Sequence, residues 1–152
     1  MVNFSPTQKS NFKLSSSSSL GAHCTTVDGA SLVEISPRSI VSVSPFTGNE
    51  ATFNASIDKL FNNGPPSATK AYEISGKNAC VLLPSAYNQW FICFNDEVRY
   101  PVEAAKDLLG KVISDRVAIT NQSDAWVILA LTGPTIFRTL ERICPIDCRS
   151  LA

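Results

Sequence analysis

Residues 129–145, Leu-Ala-Leu-Thr-Gly-Pro-Thr-Ile-Phe-Arg-Thr-Leu-Glu-Arg-Ile-Cys-Pro, decide how the rest of the chain is read. An apolar run of strand length, Ala125 to Leu131, passes through Thr132-Gly133-Pro134 into a helical spacing that puts Ile136, Phe137, Leu140 and Ile143 on one face, a stripe to be buried. The turn between them has two readings. Free amides and the positive end of a helix dipole hold anions. A phosphate loop, however, takes several glycines and commonly a lysine, and Pro134 removes one donor. Gly followed by Pro is an ordinary way into a helix, so the segment is read as a strand-to-helix turn.

Working back from that turn, Arg116 to Thr120 forms a β-branched strand, separated from the Ala125–Leu131 run by Asn121-Gln122-Ser123-Asp124. Pro101 opens a helix with Val102, Ala105, Leu108, Leu109, Val112 and Ile113 inward and an Asp107–Lys111 pair outward. Strands at Ala71–Ile74, Ala79–Leu83 and Gln89–Phe94 are joined by turn-like Ser75–Asn78 and Pro84–Asn88. A capping box, Thr47 with Glu50, starts an earlier helix whose stripe is Phe53, Ile57, Leu60 and Phe61, and Asn63-Gly64-Pro65-Pro66 ends it. Before it, Ser31–Ile35 is an ordered element and Ser39–Ser44 a strand.

The class is therefore α+β, an antiparallel or mixed sheet with helices on one face. From Gln89 the order strand, helix, strand, strand, helix is that of a ferredoxin-like split β-α-β lacking its last strand. The eight residues from Pro145 to Ala152 are too few and too polar to supply that strand. One sheet edge and one flank of the last helix are expected to lie uncovered, which suggests a subunit. Residues 1–30, rich in Ser, Thr and Asn, read as a flexible N-terminal arm, and 31–152 as a single α+β domain.

Thirteen basic against thirteen acidic residues leave no net charge to gather nucleic acid or an anionic membrane. No window approaches the roughly 18 apolar residues of a membrane helix. Lys9, Lys13 and the Ser15–Ser19 run suggest a transit peptide in composition, but without arginine, and no secretory apolar region is present. The five scattered cysteines, an odd number, point to a reducing cytoplasm. Cys80 and Cys93 lie in apolar runs and read as core.

Candidate chemistry is thin. Cys144 and Cys148 flank Pro145-Ile146-Asp147, but a structural zinc site takes four ligands, and His23, the sole histidine, lies in the arm with Cys24 nearby. Asp58, Asp96 and Glu97 fall where solvated charge is the default. Tyr87, Trp90 and Trp126 could stack on a flat ligand, although such aromatics are more often core or cross-strand pairs. No catalytic, cofactor-binding or metal-binding residue is assigned.

Three stretches nevertheless resemble segments of one known family. Leu82-Leu83-Pro84-Ser85-Ala86-Tyr87-Asn88-Gln89-Trp90-Phe91-Ile92 is similar to Leu-Gly-Pro-Asp-Glu-Trp-Leu-Leu, with a longer turn that lacks its Gly. Val117 to Val127 resembles Val-Asp-Val-Ser-Asp-Gly-Arg-Thr-Val, with Ala118 and Asn121 departing. Leu131-Thr132-Gly133-Pro134, a helix, then Cys144-Pro145-Ile146-Asp147-Cys148 is similar to Leu-Ser-Gly-Pro, helix, Cys-Pro-Leu-Asp-Leu. In that order they resemble the gamma subunit of heterotetrameric sarcosine oxidase, a relative of the aminomethyltransferase (glycine cleavage T-protein) fold.

Family members continue for several tens of residues beyond that last segment, so this chain looks like a C-terminally short member. The resemblance implies a non-catalytic chain in a complex that oxidatively demethylates sarcosine to glycine, linked to tetrahydrofolate. FAD, FMN and NAD would reside in the larger flavin-bearing subunits, which would be its partners. An alternative of another class is a standalone folate or small-ligand binding module of that fold, using an aromatic near Trp90.

Overall fold

The computed structural model describes residues 17–35, 38–61, 72–74, 79–145 and 147–151. Along the chain run β1 (Cys24–Val27), β2 (Ala30–Glu34), β3 (Ile40–Pro45), α1 (Glu50–Phe61), β4 (Tyr72–Ile74), β5 (Cys80–Ala86), β6 (Gln89–Phe94), α2 (Pro101–Leu109), α3 (Lys111–Ser114), β7 (Val117–Asn121), β8 (Leu129–Thr132) and α4 (Ile136–Ile143). The class is α+β, with antiparallel pairing throughout. The strands form two sheets, one in the order β4-β5-β6-β3-β7 and one in the order β1-β2-β8.

β3 organises the larger sheet because Ile40, Val41, Ser42 and Val43 are all buried, so both its faces and both its edges are covered. Register puts Val41, Val43, Leu82, Trp90, Ile92 and Val117 on one face. Against that face pack Phe53 and Ile57 of α1, Ala105 and Leu109 of α2, and Ile113 of α3.

The split pattern is complete here and begins earlier than the sequence suggests. β3-α1-β5-β6-α2-β7 gives all six elements, β7 closes beside β3, and β4 adds an outer strand beside β5. Starting the pattern at Gln89 placed β7 and β8 as neighbours in one sheet. No such hairpin forms, for a local reason. The Asn121 side chain accepts from the Ser123 amide and hydroxyl at 3.0 and 2.7 Å, an Asx turn that feeds the 3₁₀ turn Ser123–Ala125. Gln122 N–H donates to the Ile40 carbonyl at 2.8 Å, and Ser123 Oγ accepts from Ile40 N–H at 3.1 Å. These bonds pin the chain to the start of β3 and turn it off the sheet edge.

β8 instead pairs with β2, so the smaller sheet joins segments from opposite parts of the chain. Its first strand, β1, lies within the stretch read as an arm. The missed signal is Asp28-Gly29, a two-residue turn with φ of 49° and 80°, both positive as a type I′ hairpin requires.

Other boundaries shift with similar causes. Gly110, at φ 77°, stops α2, so Lys111 belongs to the next helix and Val112, expected inward, is exposed while Ile113 is buried. The Asp107–Lys111 spacing therefore spans a break. α1 starts at Glu50 with the Asn49 carbonyl accepting from Phe53 N–H at 2.9 Å, leaving Thr47 in the preceding turn and not at the cap. β5 runs on to Ala86 through an irregularity at Pro84, and only Tyr87-Asn88 form the turn. The proposed helix stop at 63–66 and the turn at 75–78 lie outside the described residues.

Candidate functional site

The opening turn is a weld between β8, α4 and the β1–β2 hairpin. Gly133 has φ 114°, and a Cβ on it would sit 2.1 Å from the Gly29 carbonyl oxygen. Thr135, at the start of α4, donates through Oγ1 to the Asp28 carbonyl at 2.8 Å. The Gly133 carbonyl accepts from Ile136 N–H at 3.3 Å, and Pro134 has no N–H.

Beside the weld lies a groove of about 380 Å³. Its floor is the face carrying Thr25, Leu32 and Leu131, which register aligns across the three strands, with Val27 and Ala30 beyond. Its wall is α4, with Arg138, Thr139, Arg142 and Ile143. The stripe expected to bury α4 does so incompletely: Ile136, Phe137 and Leu140 are half-buried and Ile143 is 73% exposed. One flank of this helix is thus open.

A second cleft, of about 120 Å³, lies where Ser17–Ser19 approach Glu34, Arg38 and Trp126. The Glu34 carboxylate accepts from the Ser18 hydroxyl and from the amides of Leu20, at 3.1 Å, and His23, at 3.4 Å. Ser18 Oγ in turn accepts from Ala22 N–H. The Ser18 bond, together with these amides, holds Glu34 below the ordinary carboxylate value despite partial burial. A depressed carboxylate contributes stability above its unfolded value, 4.5, and loses it as pH falls through the folded one. Protection of the Leu20 and His23 amides, taken relative to the intrinsic exchange rate at each pH, should therefore fall on acidification, and Glu34→Gln should remove that pH dependence. Unchanged protection in acid would count against the network.

On the sheet face away from the helices, Trp126 leans edge-on against Phe91 with ring centroids 5.2 Å apart. Ser85, Gln89 and Gln122 complete a shallow cavity of about 310 Å³. Trp90 takes no part, since it lies in the core 4.8 Å from Phe53 and is 7% exposed. Tyr87 stands at the hairpin tip, 94% exposed.

The remaining candidates are scattered. Asp58, Asp96 and Glu97 are exposed, and His23 meets Glu34 only through backbone groups. The Cys144 and Cys148 thiols do come together. Burial, a side-chain hydrogen bond with Cys144 and the neighbouring charges of Cys144 and Asp147 raise the Cys148 thiol. Among the described residues no group of three His, Cys, Asp or Glu could hold a metal ion.

Burial and neighbouring Cys93 push Cys80 up to about 11. With Cys24 exposed and Cys80 and Cys93 buried, a thiol reagent at neutral pH should modify Cys24 first, Cys144 and Cys148 next, and the buried pair only on unfolding. Fast labelling of Cys80 in the native protein, read by mass spectrometry, would contradict this packing.

The larger sheet with its covering helices α1, α2 and α3 and the smaller sheet with α4 together define an α+β protein of split β-α-β-β-α-β type with an appended three-stranded sheet. The same fold occurs in a chain of the heterotetrameric sarcosine oxidase from Corynebacterium sp. U-96 in complex with pyrrole 2-carboxylate, with a TM-score of 0.60 and 18% identity. The match covers 81% of this chain and 60% of that one, so this chain spans less than two thirds of its length. No protein-family model matches the sequence, and no curated protein is similar to it. Among the described residues, no helix is long and apolar enough to cross a membrane.

Proposed function

We propose that this chain is a non-catalytic, gamma-type subunit of a cytoplasmic sarcosine-oxidase assembly, one that oxidatively demethylates sarcosine to glycine with transfer of the carbon to tetrahydrofolate. In this reading FAD, FMN, NAD and tetrahydrofolate belong to larger partner chains, and this chain contributes surface. The observation that carries it is the fold shared with a chain of such a complex over 81% of this chain. The three stretches with family-like sequence support it further. They occupy β5–β6, β7 with its Asx turn, and β8–α4, and so touch both sheets. Co-expression with candidate flavin-bearing chains tests the proposal: a complex with visible flavin absorbance that contains this chain supports it, and a chain that elutes alone from every such mixture overturns it.

The shallow cavity at Phe91 and Trp126 favours a second reading, a folate or small-ligand module of the same fold. Trp126, 54% exposed, is the reporter for it. Titration with tetrahydrofolate should then quench its emission saturably, and a flat titration removes this reading.

A further inference from the structure

The groove between α4 and the smaller sheet joins an apolar floor to a cationic wall, and both facts need an occupant. Leu32 and Leu131 form the floor, Val27 is 63% exposed at its rim, and Ile143 is 73% exposed on the helix above. Isolated exposed apolar residues are normal, whereas several converging on one cleft mark a contact surface. Arg138 and Arg142 stand one helical turn apart along the wall. Among the described residues neither is in an ion pair, and Glu141 of the same helix is bonded to Arg149 at 2.7 Å. Asp28, the one acid in the lining, sits at the hairpin turn.

A third feature selects the kind of occupant. β1 and β8 are both edge strands of a sheet of only three short strands. An extended polypeptide of alternating residues can meet both the apolar floor and the two guanidinium groups spaced along α4, whereas a fatty anion brings a single charge. A sheet this small is itself marginal without further cover.

We infer that the groove is the docking site for an extended segment of a partner polypeptide in which acidic and apolar residues alternate. Its carboxylates face Arg138 and Arg142, and its apolar side chains rest on Leu32, Leu131 and Val27. The period of two in a strand delivers that alternation. The inference deepens the subunit reading and rests on it for the existence of a partner chain.

The test uses the full chain and a fluorescein-labelled peptide that alternates glutamate with valine and leucine, followed by anisotropy. Saturable binding that weakens about tenfold in R138E/R142E, and weakens with added salt, supports the inference. Val27→Glu, at an exposed position, should weaken it independently, with circular dichroism showing both variants folded. Equal binding of a peptide with lysine in place of glutamate overturns it, as does failure of the acidic peptide to bind or indifference to the double variant. Two other results also overturn it: saturable binding of dodecanoate in place of the peptide, and a dimer in sedimentation that the double variant abolishes. If the peptide binds but no flavin-bearing chain does, the subunit reading falls and the groove stands; a flavin-bearing complex that survives R138E/R142E unweakened sinks only the groove.

Discussion

Gly133→Ala should destabilise the protein by about 3 kcal/mol, or roughly 10 °C in Tm for a chain of this size. The new Cβ would lie 2.1 Å from the Gly29 carbonyl oxygen and 3.1 Å from its carbon, and backbone cannot swing aside as a side chain can. Either the β1–β2 turn retreats from α4, losing the Thr135–Asp28 bond, or Gly133 leaves φ 114° and re-aims the helix. Gly48→Ala is the control. It has a comparable positive φ of 85° but open space around its Cβ, so only the left-handed strain of about 1 kcal/mol applies. Thermal melts of the two variants separate steric contact from strain. Equal losses in both would mean that the close approach to Gly29 does not matter.

Phe53→Ala should cost about 3–5 kcal/mol. Phe53 is 1% exposed and lies against the Trp90 ring, between α1 and the centre of the larger sheet, so no neighbour can fill the void without moving the helix. In a Trp126→Phe background, Trp90 becomes the sole tryptophan, and its emission should move to longer wavelength as water enters. Phe53→Leu keeps most of the volume and should cost less than about 1.5 kcal/mol. Denaturant titration measures all three; a Phe53→Ala loss below about 1 kcal/mol would show that α1 is not a main support of the sheet.

The groups that built the larger sheet were legible because they follow local rules. The α1 stripe puts Phe53 and Ile57 in the core, and Gln89–Phe94 is a strand with those bounds. Pro101 opens α2 as a first-turn proline does. Local rules also carried the opening stretch, where Gly133-Pro134 lies in a strand-to-helix turn and α4 follows it. What failed was non-local. Nothing near β8 in the sequence says that its partner is β2, so it was assigned to its nearest neighbour, β7. Asp28-Gly29 did announce a hairpin, but the polar composition around it drew the reading toward an arm. The candidate groove was half legible: an open flank on the last helix was expected, while the cationic wall requires knowing that Arg138 and Arg142, and not Ile136 or Phe137, face the sheet floor.

The pairing of β2 with β8 also sets a timetable. Ser31 and Thr132 are partners about a hundred residues apart. At roughly 5–20 residues per second, a ribosome that has released β2 takes about 5–20 s to deliver β8. During that interval the β1–β2 hairpin has no third strand, and a lone hairpin is barely stable in water. The larger sheet is complete once Asn121 has emerged. The smaller sheet therefore assembles after the larger one and beside a finished core, so a chaperone acting on the nascent chain has Leu32 and Val33 within reach until β8 emerges.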